Sequence, residues 1–250
     1  MSVSVARGPL DLSALRAGIP AVMAHERLLP VHPVLAPLFG VAPGDPGLVR
    51  GHTVVCSGSA AMSCALAVMS APTQAGSWAG VVGLPSVGMG AAAELGVVLS
   101  RTIFVSGAPS PSHAHSSHSS SSSPDMAAVI SALVDGVEVL VLSRRVVGAV
   151  SAGVMRKLHT RLQSRGGVLV LVGDPGSVSA DVRLNASTRM WEGLGDGHGH
   201  LQRRQVSIEL DARRRGRPTR ADVWLPDHRG GLSACDISPS DNVLPLRRTG

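Results

Sequence analysis

A short apolar run, His52-Thr53-Val54-Val55-Cys56, gives way to Ser57-Gly58-Ser59-Ala60-Ala61-Met62-Ser63 and then to a small-residue stretch of helical character. A strand, a Gly/Ser turn and a helix N-terminus together cradle phosphates through successive backbone N–H groups. Nucleotide hydrolysis there needs two further parts, a lysine for the β- and γ-phosphates and a hydroxyl for magnesium. Gly58, Ser59 and Ser63 keep the turn and the hydroxyls, but the lysine position falls on Ala61 or Met62. No shift of register supplies it, because Lys157 is the single lysine of the chain. The strand expected to hold the magnesium-bound water reads Val137-Glu138-Val139-Leu140-Val141-Leu142-Ser143. It ends in a serine, with its one acid at the start. These residues predict a nucleotide-site remnant of Gly58, Ser59 and Ser63, no catalytic residues and no cofactor. The alternative is a weak nucleotide site built on backbone N–H groups and the helix dipole alone.

The second candidate is electrostatic. Arg203, Arg204, Arg213, Arg214, Arg215, Arg217 and Arg220 stand with two acids, Glu209 and Asp211, a local charge of +5 against +6 for the chain. Such a cluster suits DNA phosphates or an acidic partner surface, and a solvated basic turn is the bland alternative. No metal site is expected. His113, His115 and His118 lie in a Ser-rich run, and His198 and His200 in a glycine-rich turn, neither of which supplies rigid geometry. Cys56, Cys64 and Cys235 are too few and too scattered for a disulfide framework, which points to a reducing, cytoplasmic setting. Arg7, Asp11 and Arg16 interrupt any leader-like apolar segment. The uncharged stretch from His52 to Ala93 is broken by Ser, Gly, Pro and Gln, so no membrane span is expected.

The elements that must carry these groups follow from periodicity. A helix is expected over 11–28, followed by a Pro/Gly-rich lead-in with turns, so that 1–48 precedes the core. Across 49–229, valine-rich strands alternate with helices: "HTVVCSG", a helix stopped at Pro72, "SWAGVVGLP", a helix ending at Gly96, "SRTIFVSG", then "DMAAVISALVDG", "VEVLVLS", "SAGVMRKLHTRLQSRG" and "GVLVLVG". This alternation predicts an α/β fold with a doubly wound, mostly parallel sheet. The low-complexity run 108–124 is expected to be a flexible Ser/His loop. "DVRLNASTRMW", "LQRRQVSIEL" and "RADVWLP" alternate apolar and polar residues and predict antiparallel strands at the sheet's C-terminal edge. From Gly230 to the end the pattern predicts a tail.

The order of segments resembles the RecA recombinase core over roughly Leu28 to Asp227. The match is most specific across "AGSWAGVVGLPSVGMGAAAELGVVLSRTIFVSGAP", where the position of the recombinase's catalytic glutamate falls at or near Pro85. The two DNA-binding loops of the recombinase shrink here to "RRVVGAVSAG" and "DPGSVSAD". Closer still is the resemblance to the ImuA-type accessory proteins of the bacterial damage-induced mutasome. It rests on "LLPVHPVLAPLFGVAPGDPGLVRG", "AGSWAGVVGLP" and the "W-GLG-G-GHLQRR" hairpin. That resemblance implies a RecA-like fold and a non-catalytic adaptor in SOS mutagenesis and translesion synthesis. The implied partners are an inactive Y-family polymerase homologue and an error-prone replicative-type polymerase, with DNA as a further candidate. The alternatives are a RecA-type ATPase with an unorthodox site and a RecA-related cell-division inhibitor.

Overall fold

The computed structural model describes residues 28–40, 47–106, 126–173, 178–194, 199–213 and 217–235. The expected helix over 11–28 and the Ser/His loop 108–124 lie outside these, apart from Leu28 itself. Five consecutive parallel pairings form the centre of a nine-stranded sheet. They join β3 (Thr53–Ser57), β4 (Ala79–Val82), β5 (Thr102–Val105), β6 (Val139–Ser143), β7 (Val168–Val172) and β8 (Val182–Leu194). Three antiparallel strands extend it: β9 (Gly199–Ala212), β10 (Thr219–Trp224) and β11 (Ser233–Ala234), giving the order β11-β10-β9-β8-β3-β7-β6-β4-β5. The protein is therefore mixed α/β, with a large, mostly parallel sheet and antiparallel edge strands.

Why the central strands read as continuous apolar runs is visible in the packing. Strands β4 and β6 are buried at every residue, because helices cover both faces and no position looks at water. Val54 and Cys56 pack with α2 (Ala61–Gln74), α1 (Ala36–Phe39) and Ala92 of α3 (Met89–Glu94), whereas Val55 packs with α4 (Met126–Val134), α5 (Arg144–Ala149) and α6 (Ala152–Ser164). Successive side chains of one strand thus feed two separate cores. In the antiparallel part only one face is covered. Val206, Ile208 and Leu210 join the α2-side core, while Arg183, Asn185, Glu209, Asp211 and Arg220 line an open, charged face.

Three expectations need correction. Helix α2 does not stop at Pro72 but runs to Gln74. Pro72 falls in the final turn, so its missing N–H removes a single ladder bond, and its carbonyl accepts from the Ser77 N–H at 3.0 Å. The lead-in is partly regular: β1 (Leu28–Pro30) pairs antiparallel with β2 (Gly47–Val49), and Leu29, Leu35 and Leu38 are buried in the α2-side core. The expected tail from Gly230 is ordered as far as Cys235. Leu232 is buried, β11 pairs with β10, and Asp227 Oδ1 accepts from the N–H groups of Arg229 (2.8 Å) and Gly231 (2.9 Å).

At the N-terminal ends of the parallel strands, Thr53 Oγ1 lies 2.6 Å from His159 Nε2, and the Thr53 N–H donates to Asp181 Oδ2 at 2.9 Å. Burial lowers the pKa of His159 against the opposing pull of the Asp181 charge, and burial lowers that of half-buried His32 as well. At neutral pH burial therefore favours the uncharged rings, and His32 Nδ1 accepts the Val34 N–H. A depressed folded pKa means that the unfolded chain binds more protons once the pH drops below the ordinary imidazole value of 6.5. Stability is therefore full above that pH and declines on acidification toward the depressed values. Urea melts between pH 7.5 and pH 5 should show this decline, with a shallower slope in His159→Gln. An unchanged slope in that variant would remove His159 from the account.

Candidate functional site

The loop after β3 sits at the C-terminal edge of the parallel strands, where open α/β sheets bind their ligands. Here the neighbouring strand closes over it. Strand β8 pairs in parallel with β3 as far as Ser57↔Asn185 and then runs on past the end of β3. In that extension the Ala60 N–H donates to Ala186 O at 2.9 Å, and the Thr188 N–H donates to Ser59 Oγ at 2.8 Å. Gly58 holds φ +88°, with Asn185 Oδ1 only 2.7 Å from where a Cβ would stand. The close backbone approach that this glycine permits is to β8. Ser63, in the first turn of α2, accepts a hydrogen bond from Arg204 Nη2 at 2.6 Å. All three remnant residues, Gly58, Ser59 and Ser63, therefore engage the β8–β9 hairpin.

The other expected parts of a nucleotide site are also committed elsewhere. Ser143 caps α5, its Oγ accepting the Val146 N–H, and it packs beneath Gly83 at the end of β4. Glu138, at the start of β6, pairs with Arg50 at 3.0 Å on the opposite edge of the sheet. Pro85 lies exposed just beyond β4. Two cysteines flank the loop, Cys56 at its strand end and Cys64 at its helix end, both fully buried. The hydrogen bond to Cys64, then burial, pushes the Cys56 thiol well up. Such thiols are poor nucleophiles. Ellman's reagent on the native protein should titrate half-buried Cys235 first, with Cys56 and Cys64 slower by orders of magnitude until denaturant is added. Three equally fast thiols would contradict this packing.

The five described arginines of the cluster do not form one surface. Arg203 and Arg204 lie near the start of β9, whereas Arg213 follows its end and Arg217 precedes β10. Nine residue steps along the strand separate Arg204 from Arg213, roughly 30 Å. Arg214 and Arg215 lie outside the described residues. Arg213 donates to Ser179 Oγ, and Arg220, opposite Glu209 in register, pairs with Asp222 at 3.2 Å.

Even neighbours diverge. Arg203 pairs with Glu192 at 2.6 Å and stacks over Trp224 at 3.9 Å, on the open face. Arg204 turns to the α2 side. There it donates to Leu225 O and Ser63 Oγ and lies 5.1 Å from the Trp191 ring, its cross-strand partner. Half-burial draws the Arg204 pKa below the ordinary guanidinium value, and the group stays cationic at neutral pH. The linkage of Trp191, Arg204 and Ser63 escapes a sequence reading, because it depends on the hairpin register and on the bulge between Thr188 and Met190. Among the described residues no group of three His, Cys, Asp or Glu is placed to hold a metal, and no helix is long and apolar enough to cross a membrane.

Fold and site together define an α/β protein whose strand–loop–helix ligand position is filled by its own antiparallel hairpin. A family model described as the MT3502 N-terminal domain matches residues 40–177, a little over half of the 250 residues, and the chain belongs to that family. No curated protein matches the chain.

Proposed function

We propose that this chain is a RecA-like, non-catalytic adaptor of DNA-damage-induced (SOS) mutagenesis and translesion synthesis, acting in the cytoplasm. Its partners in this reading are an inactive Y-family polymerase homologue and an error-prone replicative-type polymerase. DNA is a further candidate contact through the β9–β10 arginines. One observation carries the adaptor reading: the phosphate-type loop without a lysine is occupied by Ala186, Thr188 and Arg204 of the neighbouring hairpin. A loop whose Ala60 N–H and whose Ser59 and Ser63 hydroxyl oxygens are already engaged by the hairpin supports a scaffold role over turnover. The process and the polymerases rest on the resemblance of the lead-in, the "AGSWAGVVGLP" strand and the hairpin to ImuA-type proteins.

Loss of even one charge stabiliser in a phosphoryl-transfer site costs orders of magnitude in rate. The purified protein should therefore show no DNA-stimulated ATP hydrolysis above background, and a strain lacking it should lose most damage-induced mutation. Recombinase-like turnover that disappears in Ser63→Asp would overturn the adaptor reading. One observation favours a second reading, an ATPase with an unorthodox site: Arg204 places a cation 2.6 Å from Ser63. A thermal shift with magnesium and ATP, abolished in Arg204→Gln, would select that reading instead.

A further inference from the structure

Strand β5 forms one edge of the nine-stranded sheet and pairs with β4 alone. The hydrogen bond from the Gly83 N–H to Val105 O, 2.9 Å long, fixes which of its backbone groups face that neighbour. In a parallel ladder alternate residues bond the same neighbour, so Ile103 and Val105 face β4 while Thr102 and Phe104 turn their N–H and C=O groups to the open side. The Thr102 N–H is met by Leu99 O. Among the described residues, the outward N–H and C=O of Phe104 have no partner. The strand reads Thr-Ile-Phe-Val, and neither a charge, a proline nor a bulge blunts this edge. Its side chains are part-buried on both faces, Phe104 against the α2-side core and Ile103 and Val105 against the core of the other face. The opposite edge of the sheet, β11, is only two residues long.

We infer that β5 pairs with β5 of a second copy of this chain, antiparallel about a two-fold axis at Phe104, so that two sheets become one. In that register the Phe104 N–H of each copy donates to Phe104 O of the other. The two phenylalanine rings meet on the α2 side, and Ile103 lies opposite Val105 of the second copy on the other face. The strand is complementary to itself at every position. A net charge of +6 opposes association of two copies, yet no charge lies on the paired residues. A two-fold contact also closes at two copies instead of growing into a fibre. A nucleic-acid strand offers no donors and acceptors spaced for a β-ladder, and β5 offers it no cation. The contact is small, so the dimer dissociates on dilution. The inference does not rest on the adaptor reading, because β4, β6 and β7 stand between β5 and the filled loop after β3.

Sedimentation velocity on the full chain over a concentration series should show monomer passing to dimer and no further. Reductant keeps half-buried Cys235 from linking copies. Phe104→Lys and Phe104→Glu should each weaken the dimer by about tenfold or more, because each sets two like charges opposite one another. An equimolar mixture of these two variants should restore it. If either variant melts without cooperativity, hydrogen exchange of the native chain, read by NMR, decides. The Phe104 amide should then exchange more slowly as concentration rises, while the Ile103 and Val105 amides, already bonded to β4, stay unchanged. A monomer at every concentration, species that grow beyond the dimer, or a dimer indifferent to Phe104→Lys would each overturn the pairing. So would a mixture that associates no better than its parts, or a Phe104 amide indifferent to concentration.

Discussion

A chain ended at residue 177, where the family match stops, should fail to fold. Strand β3 lies between β7 and β8, so removal of everything after 177 strips one whole edge of a central strand. It also removes Leu184, Val206, Ile208, Leu210, Val223, Leu225 and Leu232, all buried in the α2-side core. At about 1.5–3 kcal/mol per buried side chain the loss is roughly 10–20 kcal/mol, as large as the entire net stability of an ordinary domain. The exposed β3 edge would then recruit other chains. Circular dichroism and gel filtration should show a cooperative melt and a monomer-sized or discrete species for the full chain, against no cooperative transition and aggregates for the shortened one. A cooperative melt of the shortened chain would mean that 40–177 is a self-sufficient unit and that β8–β11 are an addition to it.

Gly58→Ala should cost about 3 kcal/mol, the largest effect expected of any single methyl in the loop. About 1–2 kcal/mol comes from placing a side chain at φ +88°. The rest comes from pushing a Cβ into Ala186 O and Asn185 Oδ1, since β8 must shift to make room. Gly76→Ala separates the two contributions, because Gly76 has φ +100° and nothing within 4 Å of its added methyl. It should lose only the conformational part. For a chain of this size each kcal/mol lowers Tm by roughly 2–4 °C, so Gly58→Ala should melt several degrees below Gly76→Ala. Equal shifts in the two variants would show that β8 does not press on the loop, and the closed site would be withdrawn with it.

Much of the architecture is legible along the chain, for reasons that differ by region. Strands β4 and β7 are runs of Val, Leu, Ala and Gly, and β3 and β6 are valine-containing runs ending in Ser57 and Ser143; all are too short for helices, and parallel strands covered on both faces need no polar alternation. Strands β8, β9 and β10 show the opposite pattern because one of their faces is open to water. The lead-in is less legible. Its prolines and glycines signal turns, yet Leu28–Pro30 and Gly47–Val49 pair because buried Leu29 and Leu48 anchor them to the core. Pro72 does not end the helix, because a proline breaks a helix only where further turns follow it, and almost none do here.

What the residues alone determine about the site is compositional. Without a second lysine anywhere in the chain, no conformation can place one at Ala61 or Met62, and a strand ending in Ser143 offers no carboxylate there. Composition also made the arginine cluster visible as charge, but not as geometry. Only the tertiary structure sets Arg203 and Arg204 apart from Arg213 along a 14-residue strand, pairs Arg203 with Glu192 and Arg220 with Asp222, and turns Arg204 under Trp191 to Ser63. The physical reason is that a strand displays neighbouring side chains on opposite faces and spreads the rest over tens of ångströms. Proximity in sequence therefore becomes separation in space, and the contact between residues 63 and 204 exists only because β8 pairs with β3.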